Sequence, residues 1–556
     1  MGLIGKHAVM EQFLAEGIEY VFGNPGSTEL AFMDALQDYP QLKYVLGLHE
    51  TVPLAMADGY ARATHKPAVV NVHIAPGIAN AMSMVYNAKR NNTPLVVTVG
   101  QQDTRFLLTE PMLSADLVRF AQPWVKWAGE ILSAKDIPMV LRRAFKVAAE
   151  PPQGPVVVSM PQDLMDGEVD EAITPTTHTV WTVRPDAGAV ERIARALADA
   201  RNPLILTGDN MAPHYAAPHV AALAELAGCE VMQGTGRQWN FPTNHPLYLG
   251  PLGFLGGTKE SLAGHDVILA MGTGNPFNAL FYEPNPIPSD CTYIHVDIDP
   301  WEMGKNYPIA LSVLGEPGAA ARDIIAALER IQTPAGRTAS HERSRAITAR
   351  ITKMREDAEA QLKTDWDANP ISPMRLMGEV RDVTPSDAVF VGAGGTSGRE
   401  PFQKLIQMTQ PNSYYDGNAS LGFPLPGTLG VQLALPDRPV IGLLREGDSM
   451  YSIQGLWTAV KYNIPATYVV FNNASYRILK QGMVRYLGAS ERKSDFPAMN
   501  FGEPKINIAA QAQVWGMQAE RVEDPADLRG AIRKALAHNG PSLVDVVIDG
   551  SYRHFF

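Results

Sequence analysis

Between Val440 and Asn473 the chain reads VIGLLREGDSMYSIQGLWTAVKYNIPATYVVFNN. Val440–Leu444 is an apolar run of strand length, and an acid, Glu446, follows it after a single residue. Tyr451–Tyr462 then places Ile453, Leu456, Trp457 and Val460 at helical spacing, which predicts a helix with one buried face. Thr467–Phe471 is a second apolar run and ends at Asn472-Asn473. Strand, helix and strand in that order make one crossover, which returns the chain to the same sheet in parallel. Glu446 and Asn473 are therefore expected at the same sheet edge, within reach of one bound ion. Open parallel sheets bind ligands beyond the carboxyl ends of their strands, and carboxylate and amide oxygens suit Mg²⁺ or Ca²⁺. Acids and asparagines are also common turn residues. Taken alone, the stretch reads more readily as a polar loop.

The same alternation runs outward from it. Ala388–Val391 and Leu543–Ile548 extend the C-terminal pattern, which begins after Pro370. In the first 170 residues, strand-like Tyr20–Phe22, Tyr44–Leu48, Ala68–Val72 and Leu95–Val99 are separated by helix-length Thr28–Gln37, Thr51–Ala63 and Ile78–Lys89. A polar linker rich in threonine and proline, Glu171 to Pro185, interrupts this. The middle restarts it with Pro203–Thr207, helical Ala217–Ala227, Asp266–Met271 and Thr292–Asp297; the charged run from Arg337 to Lys363 is a helical connector. Strands separated by such helices imply parallel sheets covered on both faces. The fold class is α/β, with three doubly wound parallel-sheet domains over residues 1–170, 186–335 and 365–556.

Size and composition agree. A chain of 556 residues is too long for one core. Hydrophobic residues make up 46% and charged residues 19%, an ordinary globular balance. A formal charge of −11 argues against nucleic-acid or anionic-membrane partners, which favour a basic face. Two cysteines, Cys229 and Cys291, are too few for a disulfide framework, so a cytoplasmic location is expected. The N-terminal MGLIGKHAVMEQFLAEG has amphipathic helical spacing without the long apolar core of a signal peptide or membrane span.

Arg445-Glu446-Gly447-Asp448 followed after one crossover by Asn472-Asn473 resembles the thiamine diphosphate motif, Gly-Asp-Gly followed by Asn-Asn. Val21-Phe22-Gly23-Asn24-Pro25-Gly26-Ser27 is similar to a substrate-facing loop of benzoylformate decarboxylase-like enzymes. Glu50 matches the glutamate that binds N1′ of the aminopyrimidine ring. His73, in His73-Ile74-Ala75-Pro76-Gly77, matches the active-site histidine of that subfamily. Gly100-Gln101-Gln102, Leu421-Gly422-Phe423 and Leu456-Trp457-Thr458-Ala459 add to a resemblance that covers essentially the whole chain. It implies a thiamine diphosphate-dependent lyase that decarboxylates a 2-oxo acid to an aldehyde, with carboligation to 2-hydroxy ketones. The alternatives are an acyloin lyase or synthase without decarboxylation, and a non-catalytic oligomeric member.

The resemblance also implies site residues. Glu50, His73 and Ser27 are the catalytic candidates, although Ser27 equally suits a helix cap. Cofactor contacts are expected at Asn24, Glu50, Gly395, Thr396, Leu421, Gly447, Asp448, Ser475, Tyr476 and Ile478. Aligned without gaps, Glu446, Asn473 and the Ser475 carbonyl are the metal ligands. The shifted alignment gives that place to Asp448; the gap-free one keeps the spacing of the Tyr451-Ser452-Ile453 helix and is preferred. Arg445 stands where the family has a glycine close to phosphate, so its charge favours binding while its Cβ crowds it. Leu280, anchored by Phe277 and Tyr282-Glu283-Pro284, replaces a second catalytic histidine. Ile478 replaces a small residue, which points to a short aliphatic or hydroxylated substrate. In this family the cofactor lies between two subunits, so a homodimer or homotetramer is implied.

Overall fold

The computed structural model describes residues 2–179, 182–234, 236–253, 257–277, 284–417, 419–487 and 496–551. Three parallel sheets flanked by helices organise them, the α/β architecture expected from the sequence. The first sheet holds β1 (Tyr20–Asn24), β2 (Lys43–Leu46), β3 (Ala68–Val72), β4 (Leu95–Gln101), β5 (Trp127–Glu130) and β6 (Val156–Pro161), in the order β2-β1-β3-β4-β6-β5. Strands β3, β4 and β6 are buried along their whole length, because helices cover both faces of a parallel sheet. Helix Ile137–Ala149 covers one face with Ile137, Leu141, Ala144, Phe145 and Ala148, a stripe at helical spacing. Phe145 meets Phe13 of helix Gly5–Ala15 edge to face, with ring centroids 6.1 Å apart.

The central sheet holds β7 (Pro203–Thr207), β8 (Glu230–Gln233), β9 (Tyr248–Pro251), β10 (Val267–Met271), β11 (Thr292–Asp297) and β12 (Leu311–Leu314), ordered β9-β8-β7-β10-β11-β12. The charged connector is a 31-residue helix, Pro334–Thr364, that buries Ser340, Ile347, Ile351, Ala358 and Leu362. In the third sheet, β13 (Val389–Val391), β14 (Val440–Arg445), β15 (Thr467–Asn472), β16 (Gln518–Val522) and β17 (Ser542–Val547) pair in parallel in the order β13-β14-β15-β17-β16. That succession repeats β1-β3-β4-β6-β5 of the first sheet, although the two sequences look unrelated.

The chain forms two compact units. One comprises Met1–Thr179, Asp367–Arg399 and Asp416–Phe556; the other comprises Val180–Trp366 and Glu400–Tyr415. Within the first unit, helix Thr51–Thr64 packs against helix Pro424–Ala434. A Cβ on Gly430 would fall 1.9 Å from the Met56 carbonyl oxygen, so only glycine lets these backbones touch.

Two local expectations are corrected. The helix read over Tyr451–Tyr462 is shorter, Gly455–Lys461, and a short helix at Glu446–Ser449 precedes it. Its buried residues are Gly455, Leu456, Thr458 and Ala459, while Ile453, Trp457 and Val460 are only partly covered. The chain turns there because the Ser452 hydroxyl donates to the Gly422 carbonyl at 2.6 Å. At the N-terminus, Leu3–Ile4 is a short strand antiparallel to Glu168–Val169, and the helix starts only at Gly5. Cys229 and Cys291 are free thiols, pushed up to about 12 and about 11 by burial. Among the described residues no helix is long and apolar enough to cross a membrane.

Candidate active site

The first group of candidates gathers at the carboxyl ends of β1, β2 and β3. Asn24 ends β1, and Glu50 directly precedes helix Thr51–Thr64, four residues beyond β2. Glu50 is 7% exposed. It accepts hydrogen bonds from Asn24 Nδ2 at 3.3 Å and from Asn80 Nδ2 at 3.0 Å. Asn80 stands on helix Ile74–Arg90, which begins directly after β3. Two neutral donors thus hold a buried carboxylate as an acceptor.

His73 is the residue between β3 and that helix. Ile74, fully buried, has φ +37°, a region that branched side chains rarely occupy, so the chain turns sharply at the histidine. His73 Nδ1 lies 2.8 Å from Glu29 Oε2 and 3.1 Å from the Thr28 hydroxyl, which itself donates to Glu29 Oε1 at 2.8 Å. A carboxylate only accepts, so Nδ1 carries a proton towards Glu29. The Gly26 N–H also donates to Glu29 Oε2, at 2.8 Å. Gly100 makes room for this carboxylate, since a Cβ there would lie 1.9 Å from Glu29 Oε1. Ser27 is exposed in the turn Ser27–Glu29 and caps no helix. Glu29 escaped the sequence reading. The available signal was an acid three residues after Gly26 at a helix start, the spacing of a reciprocal cap.

The second group sits at the carboxyl ends of β13, β14 and β15. Glu446 is 1% exposed, and its Oε1 accepts the Ser475 N–H at 3.0 Å. Asn473 Oδ1 accepts the same N–H at 2.9 Å and the Ser475 hydroxyl at 3.2 Å. Ala474, at φ +52°, makes the turn that brings them together. Asn473 Nδ2 donates to the Ser397 hydroxyl at 2.8 Å, which places Gly395 and Thr396, at the start of helix Gly395–Leu405, beside this cluster. Burial pushes the Glu446 carboxyl up to about 7, against the pull of backbone N–H groups of Glu446, Ser475 and Asn473.

Asp448 has different partners. Its Oδ1 accepts the Gly422 N–H at 2.8 Å, and its Oδ2 pairs with Arg445 Nη2 at 2.9 Å. It therefore fixes the turn that presents Leu421, a leucine 38% exposed. Gly447 lies under aromatic rings, since a Cβ there would come within 2.8 Å of Phe501 Cε2. Tyr476 stands edge-on to Phe501 at 4.4 Å between centroids, and half-buried Ile478 is the second residue of helix Arg477–Leu487. Leu280, Tyr282 and Glu283 lie outside the described residues. The geometry thus joins Glu446 to Asn473 and Ser475, and joins Asp448 to Arg445 and Gly422.

These residues fit a diphosphate cofactor and its metal. Among the described residues no cluster of three His, Cys, Asp or Glu side chains forms a closed metal site. Oxygens of Glu446, Asn473 and Ser475 are a partial set of the hard kind that Mg²⁺ and Ca²⁺ complete with phosphate and water. Glu50 is a buried acceptor suited to a ring nitrogen.

Comparison with known proteins agrees. Residues 4–118 match the N-terminal TPP binding domain of thiamine pyrophosphate enzymes, residues 190–324 the central domain, and residues 395–546 the C-terminal TPP binding domain. Benzoylformate decarboxylase of Pseudomonas aeruginosa is 30% identical over 95% of this chain and 96% of its own length. A probable acetolactate synthase large subunit of Methanocaldococcus jannaschii is 27% identical over 98% of this chain and 92% of its own. The crystal structure of benzoylformate decarboxylase from Polynucleobacter necessarius superposes with a TM-score of 0.85 at 28% identity, covering 99% of both chains. The chain belongs to the thiamine pyrophosphate-dependent enzyme family.

Proposed function

We propose that this enzyme decarboxylates a 2-oxo acid to an aldehyde, and that it also joins the retained fragment to a second aldehyde as a 2-hydroxy ketone. The observation that carries the reading is the pairing of two prepared groups on one sheet edge: Glu50 held by two amides, and His73 held by Glu29. Thiamine diphosphate, when bound, supplies the electron sink that lets the carboxylate leave as carbon dioxide. Glu50 holds a proton shared with the aminopyrimidine nitrogen. His73, through Nε2, takes or returns a proton at the substrate oxygen or carbon, and Ser27 positions the substrate carboxylate. Glu446, Asn473 and Ser475 hold Mg²⁺ or Ca²⁺ against the diphosphate, and Gly395, Thr396 and Leu421 line the cofactor. Ile478 favours a short aliphatic or hydroxylated 2-oxo acid.

The working unit in this reading is at least a homodimer. The Tyr462 hydroxyl accepts the Leu46 N–H at 2.9 Å and donates to the Tyr44 carbonyl at 3.2 Å, while Thr458 donates to the Leu46 carbonyl at 3.1 Å. These contacts dock the carboxyl end of β2 on helix Gly455–Lys461 and its last turn, just ahead of the amino end of β15. Glu446 stands at the opposite end of the third sheet, roughly 20 Å away across a six-residue strand. That separation supports a second copy bringing Glu50 of one chain and Glu446 of the other to one cofactor.

Glu50→Gln tests the reading. The variant is expected to fold and bind thiamine diphosphate with Mg²⁺, but to exchange the cofactor's C2 hydrogen with deuterium far more slowly than the parent. An unchanged exchange rate would remove Glu50 from the chemistry.

A further inference from the structure

Arg445 and Asp448 each depart from the motif that the rest of the third domain follows, and the structure makes them partners. The arginine is the last residue of β14, and its guanidinium pairs with Asp448 at 2.9 Å. Its side chain is 34% exposed, whereas that of Asp448 is 4% exposed. The aliphatic stem crosses the start of helix Gly395–Leu405: a Cβ on Gly395 would lie 2.0 Å from Arg445 Cδ and 2.9 Å from Nε. Gly392, Gly394 and Gly395 precede and begin that helix with φ of +74°, +64° and +60°. Such a left-handed approach followed by a helix turns backbone N–H groups towards one point, an arrangement that favours anions. Ser397, in the same first turn, is tied to Asn473 and so to Glu446. A partly exposed arginine side chain, a glycine-opened helix N-terminus and the carboxylate–amide cluster are thus contiguous.

We propose that Arg445 is a built-in cation for the cofactor's diphosphate, held in place by Asp448 and shared with the phosphate oxygens when thiamine diphosphate binds. The inference rests on the cofactor reading above and adds to it: part of the charge that a divalent ion ordinarily neutralises is here met by the protein. A planar guanidinium pairs well with phosphate oxygens. Asp448, buried and already hydrogen-bonded to Gly422, aims the guanidinium and cancels its charge while no anion is present. This also gives a reason for the acid at position 448, which without Arg445 would repel a phosphate.

Isothermal titration of the full chain with thiamine diphosphate, once in excess EDTA and once in Mg²⁺, tests the proposal. The parent protein is expected to bind in both conditions. Arg445→Gln, which keeps the stem over Gly395, and Arg445→Gly are expected to lose roughly 10–100-fold in affinity in EDTA, the worth of one charge-assisted contact, and much less in Mg²⁺. Asp448→Ser is expected to tighten binding in EDTA, because the guanidinium is released to the phosphate. If the glycine variant does not fold, the glutamine variant decides. Equal or tighter metal-free binding by Arg445→Gln would overturn the role of Arg445, as would a parent protein that binds only with Mg²⁺. A parent protein that binds thiamine diphosphate in neither condition would overturn the cofactor reading itself.

Discussion

The two groups of site residues handle buried charge in opposite ways. At the first sheet both acids of the site have side-chain donors: Glu50 has Asn24 and Asn80, and Glu29 has Thr28 and His73. At the third sheet the buried acid Glu446 has backbone N–H partners, and its carboxyl is pushed up to about 7. Its neighbour Asp448 is neutralised by Arg445. In the proposed function, the first edge is the one that transfers protons, with its geometry set by the fold itself. The second is organised around charge that only a cation or an anion completes. Fixed geometry suits groups that move protons, since they must meet the substrate without rearranging. A metal site needs ligands that change protonation as the ion arrives.

Breaking the first edge is expected to have the largest effect. His73→Ala removes a positioned acid–base group and is expected to lower turnover of a 2-oxo acid by roughly 10²–10⁴-fold, with cofactor affinity preserved. Glu29→Gln keeps the shape but replaces an acceptor by a donor; a smaller loss and a displaced pH–rate profile are expected. Steady-state kinetics across pH reads both. Wild-type turnover by His73→Ala would make the histidine a packing residue.

The second edge is tested through binding. Glu446→Ala is expected to weaken Mg²⁺-dependent cofactor binding by about 100-fold, at the upper end of what a perturbed metal site loses. Asp448→Ser is expected to retain Mg²⁺-dependent binding, since the acid contacts Gly422 and Arg445 and not the Asn473–Ser475 turn. Titration calorimetry of both variants in Mg²⁺ checks this. The reverse pattern would move the metal to Asp448.

How much of this was legible in the sequence follows from how local each signal is. Buried parallel strands announce themselves as apolar runs: Ala68–Val72, Pro203–Thr207 and Thr292–Asp297 have the bounds that the residues suggested. The outer strands Trp127–Glu130 and Gln518–Val522 escaped, because an edge strand is half exposed and carries polar residues. Glu446 and Asn473 could be paired because one crossover fixes their relation. Glu29 and His73 could not, since they are 44 positions apart and no periodicity links them. Arg445 and Asp448 lie three residues apart, yet the sequence gives each its own place beside the cofactor and no reason to pair them. Only side-chain geometry reveals them as one ion pair.

The smallest expected effect concerns the stability of the cofactor-free protein. The Glu446 carboxyl is raised from an ordinary 4.5 to about 7, with burial as the main cause. Between those values the folded chain binds a proton that the unfolded chain has released. Stability from this group is therefore fully present below about pH 4.5 and is lost as pH rises through about 7. The shift corresponds to a difference on the order of 3 kcal/mol, which in a chain of this size moves the melting temperature by a few degrees. Glu446→Gln, an uncharged near-isostere, removes the titration. Thermal melts of the cofactor- and metal-free proteins between pH 5 and pH 8.5 are expected to show the variant gaining on the parent as pH rises. Other titrating groups are common to both proteins and cancel in the difference. A difference that stays flat across this range would mean that Glu446 is ionised throughout, and the contrast between the two edges would then rest on Arg445 and Asp448 alone.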